Sequence, residues 1–187
     1  MKKYEVILAD PPWRYDSYKK GGHGKARDHY DDMSLGQISD ILPFGARVDE
    51  LTTRNAVLFL WVTWPLVFDA ERIVDEWGFV YKTIAWVWVK SREGGFGHHM
   101  GMGAYTRANS EPCLLATKGS MTPVAHDVLS IIYSPVRRHS KKPEEQYDKI
   151  CEYTSSHSLH TFSSPLVAID ITLFATSSLA PDSIMPR

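Results

Sequence analysis

The sequence predicts an α/β layer fold built on a mostly parallel sheet. Apolar runs of strand length recur along the chain, and they are nearly continuous rather than alternating, as in strands covered on both faces. Segments with helical patterning separate them, which is the order expected of helices layered on a sheet. With 187 residues, one domain with a sizeable core is expected.

Taken in order, "YEVILA" at 4–9 reads as a buried strand, and 10–33 as a long loop rich in Gly, Lys and Tyr. "SLGQISDIL" at 34–42 is a short helix with Ser34 as N-cap and Leu35, Ile38, Ile41 and Leu42 on one face. "NAVLFLWVT" at 55–63 is a continuous apolar strand. A helix is predicted over 64–79, with Pro65 in its first turn and Gly78 as its stop. "VYKTIAWVWVK" at 80–90 is β-branched and aromatic, as strands are, with Trp86 and Trp88 on one side and read as core. "PCLLAT" at 112–117 and "VLSIIYS" at 128–134 give two more strands. "KKPEEQYDKICEY" at 141–153 is a helix with Pro143 at its start and acids in its first turn.

Composition narrows the function classes. No apolar run is long enough to cross a bilayer, and the N-terminal stretch is too short and acid-interrupted for a secretion signal. Cys113 and Cys151 make no disulfide framework, so a cytoplasmic location is expected. Adjacent His98 and His99 have no carboxylate or Cys partner at ligand spacing, and no metal site is expected. The surrounding "GGFGHHMGMG" lacks the strand–turn–helix setting of a dinucleotide fingerprint and reads as a Gly-rich loop. Met100 and Met102 within it fit core or substrate contacts equally. A net charge of −1 leaves nucleic-acid binding to local basic patches, of which there are two: 19–27 ("KKGGHGKAR") and 137–142 ("RRHSKK"). Either could instead be an ordinary solvated surface.

The stretch "ADPPWRY" at 9–15 is the most informative. It follows the first strand directly, where ligands bind in open α/β sheets. Two prolines remove backbone donors and fix φ, so the Asp10 and Pro11 carbonyls could be held outward as acceptors. Asp10 adds a carboxylate, and Trp13 offers a flat surface for stacking a base, worth roughly 1–3 kcal/mol per base. The plainer alternative is a turn followed by a core tryptophan.

Together with "HYDDMSL" at 29–35, "AVLFLWVT", "WGF", "WVK", "TRANSEPCLLATKG" at 106–119 and "RRHSKKPEEQY" at 137–147, this stretch resembles the MT-A70 family of adenine-N6 methyltransferases. The resemblance covers 4 to about 153 and looks like the small bacterial or phage members. It implies a Rossmann-like, S-adenosylmethionine-dependent fold of permuted motif order, in which residues 1–153 form the methyltransferase domain. It also implies methyl transfer to the N6 amine of adenine in nucleic acid, DNA before RNA. Asp10, Pro11, Pro12 and Trp13 take the catalytic motif's place, and Asp10 and Lys142 lie near the cofactor. Tyr30 and Glu111 match positions around the substrate pocket, and Arg137 and Arg138 are expected to contact phosphates. Two plainer readings stay open: Glu111 could only open a strand, and Lys142 could belong to a solvated basic face.

The tail departs from the family. A last cofactor-binding strand resembling "LELFAR" should follow the "KKPEEQY" helix, with an acid and an asparagine for the ribose and methionine moiety. Residues 154–187 are Ser/Thr-rich instead, and no Trp or Asn occurs after Asn109. "LHTFSS" at 159–164 occupies the expected place, and "ITLFAT" at 171–176 has the apolar character. A natural variant tail and a reading-frame change both account for this. The alternative function is a non-catalytic nucleic-acid-binding or partner subunit with a lost cofactor site.

Overall fold

The computed structural model describes residues 2–14, 32–95, 97–103, 105–137 and 141–154, and the backbone of 166–169. Six strands form one sheet in the order β5-β3-β4-β2-β1-β6. They are β1 (Tyr4–Ala9), β2 (Thr52–Trp61), β3 (Val80–Ser91), β4 (Ser110–Lys118), β5 (Ile131–Pro135) and β6 (Leu166–Ile169). β4 runs antiparallel to both of its neighbours, whereas the β1–β2, β1–β6 and β3–β5 pairs are parallel. Five strands therefore point one way, as the continuous apolar runs require.

Three α-helices are present among the described residues: α1 (Leu35–Ser39), α2 (Ala70–Glu76) and α3 (Glu145–Thr154). Ser34 caps α1 in a reciprocal box with Gln37, which satisfies the first free amides. Ile38 and Ile41 are buried as the periodicity predicts, but Leu42 is exposed because the helix ends at Ser39. The predicted helix over 64–79 is shorter than its pattern. Pro65 sits in a separate 3-10 turn, Trp64–Leu66, and the α-helix begins only at Ala70. Its end is as expected. Gly78 takes φ 78°, its amide donates to Asp75, and that of Phe79 donates to Val74, a paired closure that needs a left-handed residue.

The core divides by sheet face. Ile7, Ala9, Leu58, Leu60 and Val62 pack with α1 and α2; Val6, Leu8, Phe59, Trp61, Trp86 and Trp88 pack on the side of α3. Trp86 and Trp88 are core, as predicted, and Phe59 stacks on Trp86 at 4.9 Å between ring centroids.

Among the described residues the tail contributes one strand, the "LVAI" that intervenes between the two segments named from sequence, paired in parallel register with β1 from Val6↔Leu166 to Ala9↔Ile169. Four residues suffice because β1 supplies the hydrogen-bonding edge. Both segments named from the sequence lie outside the described residues. No helix of the described residues is long and apolar enough to cross a membrane.

Candidate functional site

The site forms where the parallel strands end. Asp10 follows the last residue of β1, Lys90 lies at the end of β3, and Lys142 precedes α3. Because β4 is reversed, its entry lies at this same rim, and Glu111 is its second residue. Strand alternation places all three strand-borne side chains on the α3 face: Asp10 follows Val6 and Leu8, Lys90 follows Trp86 and Trp88, and Glu111 precedes Cys113.

The four charged groups form an alternating chain. The Lys142 ammonium lies 2.9 Å from both Asp10 oxygens and 3.4 Å from Glu111 Oε2. Lys90 donates to Glu111 Oε1 at 2.6 Å. All four side chains are largely covered, with 13% of Lys142 and 16% of Lys90 exposed. Burial works against the charges of Lys142 and Glu111, and their partners outweigh it. The carboxylates of Asp10 and Glu111 raise the Lys142 pKa above its ordinary value, while Lys142 and Lys90 lower that of Glu111. Nearby, burial and the Asp10 carboxylate push the Cys113 thiol well up, which disfavours its thiolate form.

Trp61, at the end of β2, ties the rim together. Its carbonyl accepts the indole N–H of Trp13 at 2.8 Å, and its own indole donates to Gln146 of α3 at 2.7 Å. The Lys142 ammonium sits 5.6 Å from its ring centroid. Thr63, two residues on, has a buried hydroxyl with no hydrogen-bond partner.

The Asp-Pro-Pro-Trp turn differs in two ways from what its sequence predicts. The Pro11 carbonyl does not simply face outward: it accepts the Trp13 amide at 2.9 Å, closing a tight turn around Pro12, whose fixed φ suits it. Trp13 is no open platform. It is 7% exposed and packs on the α1/α2 side, opposite the charged chain, as in the plainer reading. The Pro12 carbonyl is taken by the Met33 amide, the Met33 carbonyl accepts from Arg14, and Arg14 pairs with Asp32. Both ends of the first loop are thereby fastened together.

Of the remaining predicted site residues, Arg137 is half-exposed and pairs with Glu144 at 3.2 Å. Tyr30, Arg138 and the cluster at 19–27 lie outside the described residues. Among the described residues no group of three His, Cys, Asp or Glu side chains is placed to hold a metal ion. Lys90 and Thr63 were not singled out from sequence. Lys90 carried a usable signal, because the two-residue alternation that pairs Trp86 with Trp88 reaches it next. Thr63 carried none, since nothing in a lone threonine forecasts a buried unpartnered hydroxyl.

Comparison with known proteins agrees with the sequence motifs. The chain is 30% identical to the type II methyltransferase M.MunI of Mycoplasma sp over 167 residues, covering 80% of this chain and 66% of that protein. It is 28% identical over 163 residues to the human N(6)-adenosine-methyltransferase catalytic subunit METTL3, covering 79% of this chain and 23% of that one. To an MT-A70-like N(6)-adenosine-methyltransferase of Arabidopsis thaliana it is 27% identical over 152 residues, covering 77% of this chain and 19% of that protein. The chain thus spans just under two thirds of the Mycoplasma protein and about a fifth of the others. The MT-A70 family model matches residues 4–173, which takes in every strand of the sheet, and the chain belongs to the MT-A70 family.

Proposed function

We propose that this chain is an adenine-N6 methyltransferase acting on nucleic acid, with a Rossmann-like fold and S-adenosylmethionine as methyl donor. One observation carries the reading: a carboxylate at the exit of a parallel strand, Asp10, held through both oxygens by a largely buried lysine. The exocyclic amine of adenine is a poor nucleophile because its lone pair is delocalised into the ring. A fixed carboxylate that accepts an N–H bond draws the nitrogen toward tetrahedral geometry and restores the lone pair. This is positioning and electrostatics rather than deprotonation by a strong base. A carboxylate has about four lone-pair sites, so Asp10 accepts from an amine while keeping part of its contact with Lys142.

The residues present fit the donor at its reacting end. Asp10 and Glu111 offer negative charge to a sulfonium, and the unpartnered Thr63 hydroxyl is a free polar atom at the same rim. When bound, S-adenosylmethionine supplies an electrophilic methyl group. Lys142 fixes Asp10, and Trp61 fixes both Lys142 and the Asp-Pro-Pro-Trp turn. Trp13 serves the site by anchoring that turn. Arg137 and Arg138 and the basic residues of 19–27 supply phosphate contacts, and a duplex target must present its adenine out of the stack. DNA is taken before RNA as the substrate, and the type II methyltransferase, of which the chain covers 66%, supports testing it first.

The reading is tested by incubating the chain with methyl-labelled S-adenosylmethionine at millimolar concentration and adenine-containing DNA or RNA. The digested products are then analysed by mass spectrometry. Label on N6-methyladenine is expected, first from DNA. Label on another base, or none from either nucleic acid, overturns it.

A further inference from the structure

We propose that Lys90 is a positioning residue of this site, acting on Lys142 through Glu111. The inference rests on the methyltransferase reading and deepens it.

Trp88 of β3 stands opposite Glu111 of β4, so Lys90 lies on the diagonal, within reach of a long side chain across the ladder. Its ammonium is held 2.6 Å from Glu111 Oε1 and 5.0 Å from the Trp88 ring centroid. A merely structural pair would tie β3 to β4. Those strands are already joined by a ladder running from Val80↔Thr117 to Val89↔Ser110, so one ion pair at its end adds little to the fold.

What the pair does govern is how Lys142 is shared. Lys142 lies nearer Asp10, at 2.9 Å, than Glu111, at 3.4 Å. With Oε1 engaged by Lys90, only Oε2 of Glu111 faces Lys142, and the four charges sum to zero. An amine arriving at Asp10 needs an oxygen that Lys142 now occupies. Glu111 is the carboxylate within reach to take up the loosened ammonium, and it serves only if ionised and correctly turned. Lys90 secures both. Without it, burial moves Glu111 toward protonation, and whatever charge remains swings onto Lys142 and away from its present geometry.

The test compares Lys90→Met, Lys90→Arg and Glu111→Gln with their combination, using two readouts on the full chain. In the first, NMR follows the Glu111 carboxyl through an acid titration. Its pKa is expected to rise in Lys90→Met and to return toward wild type in Lys90→Arg. In the second, methyl transfer is followed against pH. Lys90→Met is expected to lower kcat about tenfold or more with KM for nucleic acid nearly unchanged, the pattern of an interaction that matters after binding. The acid limb of its profile should move to higher pH. Lys90→Met should cost far less on the Glu111→Gln background, since a neutral amide needs no countercharge. An unshifted Glu111 titration in Lys90→Met overturns the inference whatever the activity. Unchanged kcat, or losses that simply add, overturns it too. A wild type that transfers no methyl group overturns the methyltransferase reading instead.

Discussion

The Lys142 ammonium lies 2.9 Å from both carboxylate oxygens of Asp10, although 132 positions separate the two residues in the chain. The contact joins the exit of the first strand to the approach of α3, across the top of β2. It requires the sheet to be complete between them, so the site reports on the whole fold rather than on one loop. Removing Asp10 leaves the covered Lys142 ammonium with Glu111, at 3.4 Å, as its carboxylate partner.

Asp10→Ala should reduce methyl transfer by about 100-fold or more, the usual cost of removing a preorganised charge from a reacting site. The fold should survive, because Lys142 keeps Glu111 as a partner. Single-turnover assays beside circular dichroism check this; near-normal turnover would mean that the amine is held elsewhere.

Trp13 should behave otherwise. Its ring is buried on the face opposite the charged chain, so Trp13→Ala should cost about 3–5 kcal/mol of stability, as large core truncations do. Trp13→Phe retains most of the bulk and forfeits mainly the bond to the Trp61 carbonyl, about 1 kcal/mol. Urea denaturation of the two variants separates them. Equal, small losses would return the ring to the role of a surface platform.

Stability should form a plateau in pH bounded by this same cluster. Glu111 has a lowered pKa, so its contribution is present above the ordinary carboxylate value, roughly 4.3, and is lost as pH falls through its folded value. Lys142 has a raised pKa, so its contribution is complete below the ordinary lysine value, roughly 10.4, and is lost only as pH rises through its folded value. Melting temperatures across this range should flatten between the limits, and Glu111→Gln should soften the acid limb. An acid limb identical in the variant would assign it to other carboxylates.

Cofactor affinity should be weak in this chain. The tail brings β6 to the sheet but lacks the asparagine and the family's acidic strand. Each polar contact left unmade costs roughly 1–3 kcal/mol, so two of them move a micromolar site toward millimolar. Calorimetry should give millimolar binding here and micromolar binding in a chimera with the family tail restored after Tyr153. Deleting 155–187 should lower the melting temperature, since β1 would lose its β6 edge. Micromolar binding by the unaltered chain would show that the tail holds the cofactor by other groups.

These contrasts mark how far the sequence could be read. Strands such as β2 and β4 were legible because burial on both faces leaves an unbroken apolar signature. β6 was not, since "LVAI" is short and draws its order from β1 rather than from its own pattern. α2 starts later than its pattern predicts because Pro65 suits a 3-10 turn as well as a first helical turn. Asp10, Glu111 and Lys142 could be named from motifs, but their linkage depends on the reversal of β4, a topological fact that local composition does not encode. Trp13 was ambiguous because a base and a hydrophobic core attract an indole for the same reason.

The reversal of β4 also sets the constraints on the segment that joins it to β3. Lys90 leaves the sheet and Glu111 enters it on two adjacent strands locked by cross-strand register. The intervening residues, 92–109, start and finish at the rim and return to β3, where the His99 amide donates to the Lys90 carbonyl at 2.8 Å. The ladder spaces the charged pair, and the connection is itself constrained: a Cβ at Gly101 would strike the Ala108 carbonyl and one at Gly103 the Thr106 carbonyl, so both positions require glycine.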